Sequence, residues 1–279
     1  MNVQQMWKCN GNDQRAMPES IWQKDLSILS ESEEMLETLF AWQKIENTKE
    51  IVLPLVQNIE GAVLGADVIK REKIWTTGNY PFSRLEEADA QQFSLMKDSR
   101  IQSILEVIEK LKTKLVVLEV EAPFSVLASL VNPMELYDAM QTRPELLDHI
   151  LTKITREETK YLEAATDAGC TIISLAEPTG TIDMVGEKYF KECSGKAVLL
   201  LLKESQKFLK NSIVHLCGKL SNSMLVTNMA KENIYPVNSQ EYLENLTEAA
   251  RNPEIHFAGQ HCIHQKKNTT GQIHILTLL

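Results

Sequence analysis

The pattern of apolar and polar positions along most of this chain predicts strands that are followed by helices. Residues 51–56 and 115–120 are apolar runs rich in β-branched side chains, which is typical of buried strands. Residues 144–168 instead repeat apolar side chains at helical spacing, and Gly169 suits the end of that helix. A further strand is predicted at residues 171–176, directly after this glycine.

The C-terminal part continues the same alternation. Strands are predicted at residues 212–217, 234–237, 254–258 and 272–278, mostly with helices between them. Strands that alternate with covering helices indicate a parallel sheet, and at least seven strands favour a closed barrel over an open doubly wound sheet. We therefore predict an α/β fold of the TIM-like (β/α)8 barrel type, with an open sheet as the alternative.

The first 50 residues differ from the rest and suggest a boundary. Residues 1–49 are predicted to form an N-terminal arm or helical cap, and residues 50–279 the barrel domain. Within the arm, residues 30–44 have the pattern of an amphipathic helix, with Leu36, Leu39 and Phe40 on one face.

Composition narrows the classes of function. The chain has 279 residues, of which 43% are hydrophobic and 24% charged, as in soluble globular proteins. Its formal net charge of -9 disfavours broad attraction to nucleic acid or anionic lipid. Neither a secretory signal nor an apolar run of roughly 18 residues is present, and five scattered cysteines do not form a disulfide framework. We therefore expect a cytoplasmic protein without nucleic-acid or membrane partners.

The segment His215-Leu216-Cys217-Gly218 has the strongest chemical signal in the chain. On a strand, residues i and i+2 lie on the same face, so His215 and Cys217 are expected to point the same way. Imidazole nitrogen and thiolate sulfur are both zinc ligands. A single His-x-Cys pair on a buried strand is often only packing. A second pair, Cys262 and His264, strengthens the metal hypothesis.

The number of ligands decides what kind of metal site this is. Three protein ligands with an open fourth position are typical of catalytic zinc, whereas four protein ligands make a closed structural site. The spacing of His215, Cys217, Cys262 and His264 is compatible with both arrangements.

Other acidic residues are weaker candidates. Glu177 follows a predicted strand, at the end of a barrel where catalytic residues lie, so we predict a catalytic role in substrate contact or zinc binding. The alternative is a helix-capping or salt-bridged carboxylate. Glu119 and Glu121 share one strand face, where a structural ion pair is expected.

Three blocks of sequence point to a known family. Residues 121–130 read EAPFSVLASL, residues 168–178 read AGCTIISLAEP and are followed by Tyr189-Phe190, and residues 214–218 read VHLCG. These resemble, in turn, the Gly-Pro-Phe-Thr-Leu-Ala, Ala-Gly-Ala-Asp…Asp-Pro…Phe and His-x-Cys-Gly segments of the uroporphyrinogen decarboxylase superfamily. Within it, the last segment is similar to that of methylcobamide:coenzyme M methyltransferases and their corrinoid-dependent relatives. The likeness covers roughly residues 50 to 265.

The resemblance implies a specific chemistry. Zinc would be held by His215, Cys217 and Cys262, and would bind a small thiol such as coenzyme M as thiolate. That thiolate would attack the methyl group of a methylcorrinoid carried by a partner corrinoid protein. The products would be a thioether and a Co(I) corrinoid, so the implied function is that of a zinc-dependent methyltransferase.

Several departures from the family pattern keep other functions open. The decarboxylase segment Arg-Gln-Ala-Gly-Arg is absent, which argues against a uroporphyrinogen decarboxylase, and the family has another strand before residues 51–56, which implies a shortened N-terminal portion. Residues 218–261 are fewer than the family has between its zinc motif and last cysteine, so His261 or His264 could replace Cys262. The main rival hypothesis is a diverged, non-catalytic barrel that binds a corrinoid or tetrapyrrole.

Overall fold

The structure is a computed structural model that describes residues 18–24, 26–56, 58–71 and 74–279. Residues 1–17 of the predicted arm, which include Cys9, lie outside the described residues. The boundary at residue 50 therefore stays a prediction. The strands are β1 (Glu50–Leu53), β2 (Val68–Arg71), β3 (Ile74–Thr77), β4 (Leu115–Glu121), β5 (Ile172–Ala176), β6 (Ile213–Leu216), β7 (Ala230–Pro236), β8 (Phe257–Gly259) and β9 (Gln272–Leu278).

The helices surround these strands. They are α1 (Glu19–Trp22), α2 (Ser32–Glu46), α3 (Ile59–Val63), α4 (Leu85–Asp89), α5 (Ser99–Lys110), α6 (Pro123–Leu130), α7 (Pro133–Thr142), α8 (Pro144–Ala168), α9 (Ile182–Tyr189), α10 (Gly195–Ser205), α11 (Gly218–Val226) and α12 (Tyr242–Ala250). A 3-10 helix covers Leu26–Ser30, and a π-helical turn at Phe190–Ser194 joins α9 to α10.

Seven strands form one sheet in the order β1-β4-β5-β6-β8-β9-β7, while β2 and β3 form a separate antiparallel pair. The adjacent strands β1, β4, β5, β6 and β8 pair in parallel with one another. The prediction of an α/β fold with a mostly parallel sheet is therefore confirmed. Among the described residues no strand pairing joins β1 to β7, so backbone hydrogen bonds do not close this sheet into a barrel.

The C-terminal strands differ from the expectation of parallel pairing. β9 is antiparallel to both β8 and β7. Residues 260–271 connect β8 to β9 without a helix. Parallel neighbouring strands need a crossover connection, which is usually a helix. Because no helix separates β8 from β9, the chain returns beside β8 in the opposite direction. β7 is left at the sheet edge, with residues 231–234 exposed.

Helix α2 forms where an amphipathic helix was predicted, but its buried face is different. Met35, Leu39 and Trp42 are buried, and the helix packs against α5 and β1. Phe40 is 42% exposed, with the Lys114 Nζ atom 5.7 Å from its ring centroid. Positions 35, 39 and 42 follow the i, i+4, i+7 spacing of one helix face, so the prediction for Phe40 was wrong.

The long helix α8 begins and ends as its sequence predicts. Pro144 occupies the first helical position, and Gly169 adopts φ 107° in the left-handed region that ends the helix. The preceding helix α7 is capped by the Asn132 side chain, which accepts a hydrogen bond of 2.9 Å from the Met134 N–H. These local signals set where α8 stops and β5 begins.

Replacing Gly169 with alanine is expected to lower the free energy of unfolding by about 2 kcal/mol, measured by urea denaturation. The residue has φ +107°, and an added Cβ would lie 2.7 Å from the Lys112 Cβ. Gly65→Ala is the matched control, because Gly65 has φ +113° but its nearest neighbour is a Pro81 atom at 3.9 Å. Equal losses in the two variants would contradict a contribution from the Lys112 contact.

Candidate functional site

The carboxyl ends of β5, β6 and β8 bring the predicted ligands to one end of the sheet. In the strand register His215 of β6 lies between Ser174 of β5 and Ala258 of β8. β6 ends at Leu216 and α11 begins at Gly218, so Cys217 is the residue preceding the helix and not a strand residue as predicted. Its N–H still donates to the Leu175 carbonyl oxygen at 3.0 Å.

His215 is buried without the hydrogen bonds that an imidazole normally makes. The residue is fully buried, and neither ring nitrogen has a hydrogen-bond partner among the described residues. Burial, with a smaller contribution from the charges of His261 and His264, lowers the pKa of His215 to about 3. The ring is therefore neutral at physiological pH. Leaving its donor and its acceptor unpaired in the interior is costly unless another group binds there.

Tyr242, the first residue of α12, connects His215 to the segment that follows β8. Its ring is edge-on to His215, with centroids 5.8 Å apart, and edge-on to His261 at 5.3 Å. Burial raises the pKa of Tyr242, and the nearby Cys262 raises it further. Residues 261–264 therefore lie next to Tyr242 and over the strand end that holds His215.

His264 is already engaged by another residue. Its Nε2 atom lies 2.9 Å from the Glu119 Oε1 atom of β4, and both side chains are about one-quarter exposed. Glu119 therefore has His264 as its polar partner, a contact that is an ion pair when the imidazole is protonated. This contact leaves Cys262 as the better candidate for a third metal ligand.

Two observations test whether these residues fit a metal ion. The orphaned, neutral imidazole of His215 and the two thiols Cys217 and Cys262 have the donor chemistry that zinc prefers. Among the described residues, however, no three His, Cys, Asp or Glu side chains are grouped closely enough to hold a metal as they stand. The residue types therefore fit zinc, but in the described residues the three side chains do not lie close enough together to bind one ion.

Glu177 lies directly after β5 and is fully buried. Its carboxylate accepts hydrogen bonds from the Phe124 N–H at 3.2 Å, the Gly180 N–H at 3.1 Å and the Ser125 hydroxyl. Phe124 and Ser125 are in the first turn of α6, where a negative charge is favoured by the helix dipole. Burial raises the pKa of Glu177 to about 8, while these donors act in the opposite direction. The geometry favours the capping alternative, and the catalytic role stays a prediction.

Sequence reasoning did not identify Tyr242. Its only local signal is the apolar spacing of α12, which indicates burial and nothing more. Its contact with His215 joins residues far apart in sequence, because β6 and β8 pair in parallel and α12 lies between them along the chain. A proximity of this kind has no signature in a single sequence.

A cavity lies elsewhere, on the outer helical layer. It has a volume of about 870 Å³ and is bounded by residues 89–93, α8 and α10. None of His215, Cys217 and Cys262 lines it. Within the described part of the chain, no helix is both long enough and apolar enough to cross a membrane.

Known relatives match this chain over most of its length. A curated relative, the methylcobamide:CoM methyltransferase MtaA of Methanosarcina barkeri, is 22% identical over 200 residues, covering 67% of this chain. The corresponding protein of Methanosarcina barkeri strain Fusaro is 21% identical over 200 residues. The chain spans only 56% of the length of either relative.

A solved structure supports the same relationship at the level of fold. A methyltransferase from Methanosarcina mazei superposes with a TM-score of 0.60 at 18% identity, covering 79% of this chain and 69% of that one. The family model named Uroporphyrinogen decarboxylase (URO-D) matches residues 51–278, which include every candidate ligand described above. On this match, the chain belongs to the uroporphyrinogen decarboxylase (URO-D) family.

Proposed function

We propose that this chain is a methyltransferase that moves a methyl group from a methylated corrinoid protein to a small thiol such as coenzyme M, using zinc held by His215, Cys217 and Cys262. The observation that supports this most is the buried imidazole of His215, whose two ring nitrogens are unpaired at the same strand end as Cys217. The similarity to proteins named methylcobamide:CoM methyltransferase supports the reaction class.

The chain's own residues suit this role in three ways. His215 is neutral at physiological pH, so a ring nitrogen is available as a ligand. Cys217 precedes the first turn of α11, where the positive end of the helix dipole favours a thiolate. The Tyr242 ring covers one side of His215 and keeps water from it. Zinc bound there would hold the substrate thiol as thiolate, the form that attacks a methyl group.

We also propose that the sheet closes into a TIM-like (β/α)8 barrel. In a closed TIM-like barrel, active sites lie at the carboxyl ends of the strands, where His215 and Cys217 are found. Closure would bring the edge strands β1 and β7 together. The finding that the sheet is mostly parallel, with covering helices, is compatible with that arrangement.

Metal analysis tests this proposal directly. We expect about one zinc per chain in the wild type, and loss of that zinc in His215→Ala, Cys217→Ala and Cys262→Ala. Cys193→Ala is the matched control, because Cys193 is a buried cysteine outside the site. His264→Ala is expected to keep the metal, because its side chain pairs with Glu119. A wild-type protein that takes up no zinc contradicts the proposal.

One observation favours a second candidate, a diverged barrel that binds a corrinoid or tetrapyrrole without catalysis. The described side chains do not form a three-ligand set as they stand. The same metal analysis separates the two candidates, since only the methyltransferase requires a zinc that depends on His215 and Cys217.

A further inference from the structure

The cavity on the outer helical layer is separate from the residues proposed for methyl transfer. It has a volume of about 870 Å³ and lies between residues 89–93, at the end of α4, and the helices α8 and α10. Binding sites for small molecules have volumes of roughly 300–1,000 Å³, so this space is large enough for one. It is called the outer cavity below.

Two apolar side chains border the outer cavity from different elements. Phe93 follows α4 and packs against the hydrophobic core, while Leu200 of α10 is 37% exposed. An apolar group that enters the cavity removes part of these two surfaces from water, which is favourable. The outer cavity can therefore take up the apolar part of a ligand.

Each acidic side chain that lines the outer cavity is already paired with a cation of the described residues. The pairs are Asp89 with Lys153, Glu157 with Lys160 and Glu204 with Lys207. Glu157 is only 8% exposed, and its second carboxyl oxygen accepts a hydrogen bond of 3.2 Å from the Leu95 N–H. The carboxylates of the lining are therefore compensated by the protein itself.

Arg156 of α8 differs from the other cations of the lining. Its guanidinium has no hydrogen bond and no ion pair with any of the described residues, whereas Lys153 and Lys160 pair with carboxylates. A guanidinium has five N–H donors in a planar fork that matches the oxygens of a carboxylate or a phosphate. The outer cavity therefore has a cationic group available for an anion.

Thr152 and Gln92 add two hydrogen-bonding groups to the same lining. Thr152 lies four residues before Arg156, so the two side chains share one face of α8. Three other threonines of this helix donate to the carbonyl oxygen four residues earlier, namely Thr155, Thr159 and Thr166. Neither the Thr152 hydroxyl nor the Gln92 amide has a hydrogen bond to another described residue. Both can therefore donate to a ligand.

We propose that the outer cavity binds a small molecule with one oxyanion, a carboxylate or a phosphate, on an apolar body. The Arg156 guanidinium binds the oxyanion, with Thr152 and Gln92 as further donors, and Phe93 and Leu200 contact the apolar body. Arg156 is exposed, so the ligand reaches it directly from solvent. The site does not rest on the proposed methyltransferase function, because no proposed zinc ligand lines it.

NMR titrations with three related probes test the chemistry of the ligand. Phenylpropionate has a carboxylate on an apolar body, phenylpropanamide has the same body without the charge, and inorganic phosphate has a charge without the body. We expect phenylpropionate to bind the wild type with a Kd in the millimolar range. Each of the other two probes should bind about fivefold more weakly or less, because each lacks one of the two contacts.

Two variants with a matched control test the residues. Arg156→Gln is expected to weaken the binding of phenylpropionate by about tenfold, because glutamine lacks the charged fork. Leu200→Ser should weaken it by about threefold, because the apolar contact is reduced. Arg251→Gln is the control, since Arg251 is also exposed but does not line the outer cavity, and its affinity should match the wild type.

Unchanged affinity for phenylpropionate in Arg156→Gln would overturn the proposal. So would a wild-type protein that binds neither phenylpropionate nor phosphate. Equal affinities for phosphate and phenylpropionate would overturn the assignment of Phe93 and Leu200 to an apolar body. The zinc content of Arg156→Gln should equal that of the wild type, so a failure of this site is distinguishable from a failure of the proposed metal centre.

Discussion

Cys217→Ser is expected to reduce thiol-dependent demethylation of methylcobalamin by about 30-fold or more at pH 7. Under the proposed function, the site keeps the substrate thiol ionised. A thiol with a pKa near 8.5 that is left to ionise by itself is only a few per cent thiolate at pH 7, which sets the size of the loss. Serine keeps the shape of the residue before α11, so the fold should persist.

The pH profile distinguishes this mechanism from a simple loss of folding. The deficit of Cys217→Ser should shrink as pH rises towards 9, because the free thiol then ionises without assistance. Cys193→Ser is the control, since it removes a buried thiol from the π-helical turn and should leave the profile unchanged. Full activity of Cys217→Ser at pH 7 is incompatible with Cys217 as a ligand, whatever zinc the wild type contains.

Glu177→Ala is expected to lower the free energy of unfolding by about 3 kcal/mol or more. The substitution leaves the Phe124 N–H, the Gly180 N–H and the Ser125 hydroxyl without their acceptor. These groups are buried, so water cannot replace the lost carboxylate without rearrangement. Urea denaturation at pH 7 measures the effect.

Glu177→Gln separates the structural role from the catalytic one. Glutamine retains one acceptor oxygen, so we expect a smaller loss of about 1–2 kcal/mol. A capping residue should leave the methyl-transfer rate within a few-fold of the wild type when the variant is folded. A rate reduced by about 100-fold or more in a folded Glu177→Gln protein would instead support a general acid or base.

Local sequence signals determined much of the secondary structure. Helix α8 begins at a proline and ends at a glycine in the left-handed region, and both are local effects of backbone sterics. Strand β9 has the predicted bounds, and β4 exceeds its prediction by one residue, because short apolar runs specify strands directly. Helix α2 was predicted in position but not in orientation, since the face that is buried depends on what packs against it.

The sequence alone also identified the chemistry of the site. His215 and Cys217 stand two residues apart before a glycine, and that spacing is enough to suggest a shared ligand. The tertiary structure decided the rest: that the Cys262 segment returns over β6, that Tyr242 packs against His215, and that His264 pairs with Glu119. Such proximities arise from strand order and helix packing across long stretches of chain, so no local periodicity encodes them.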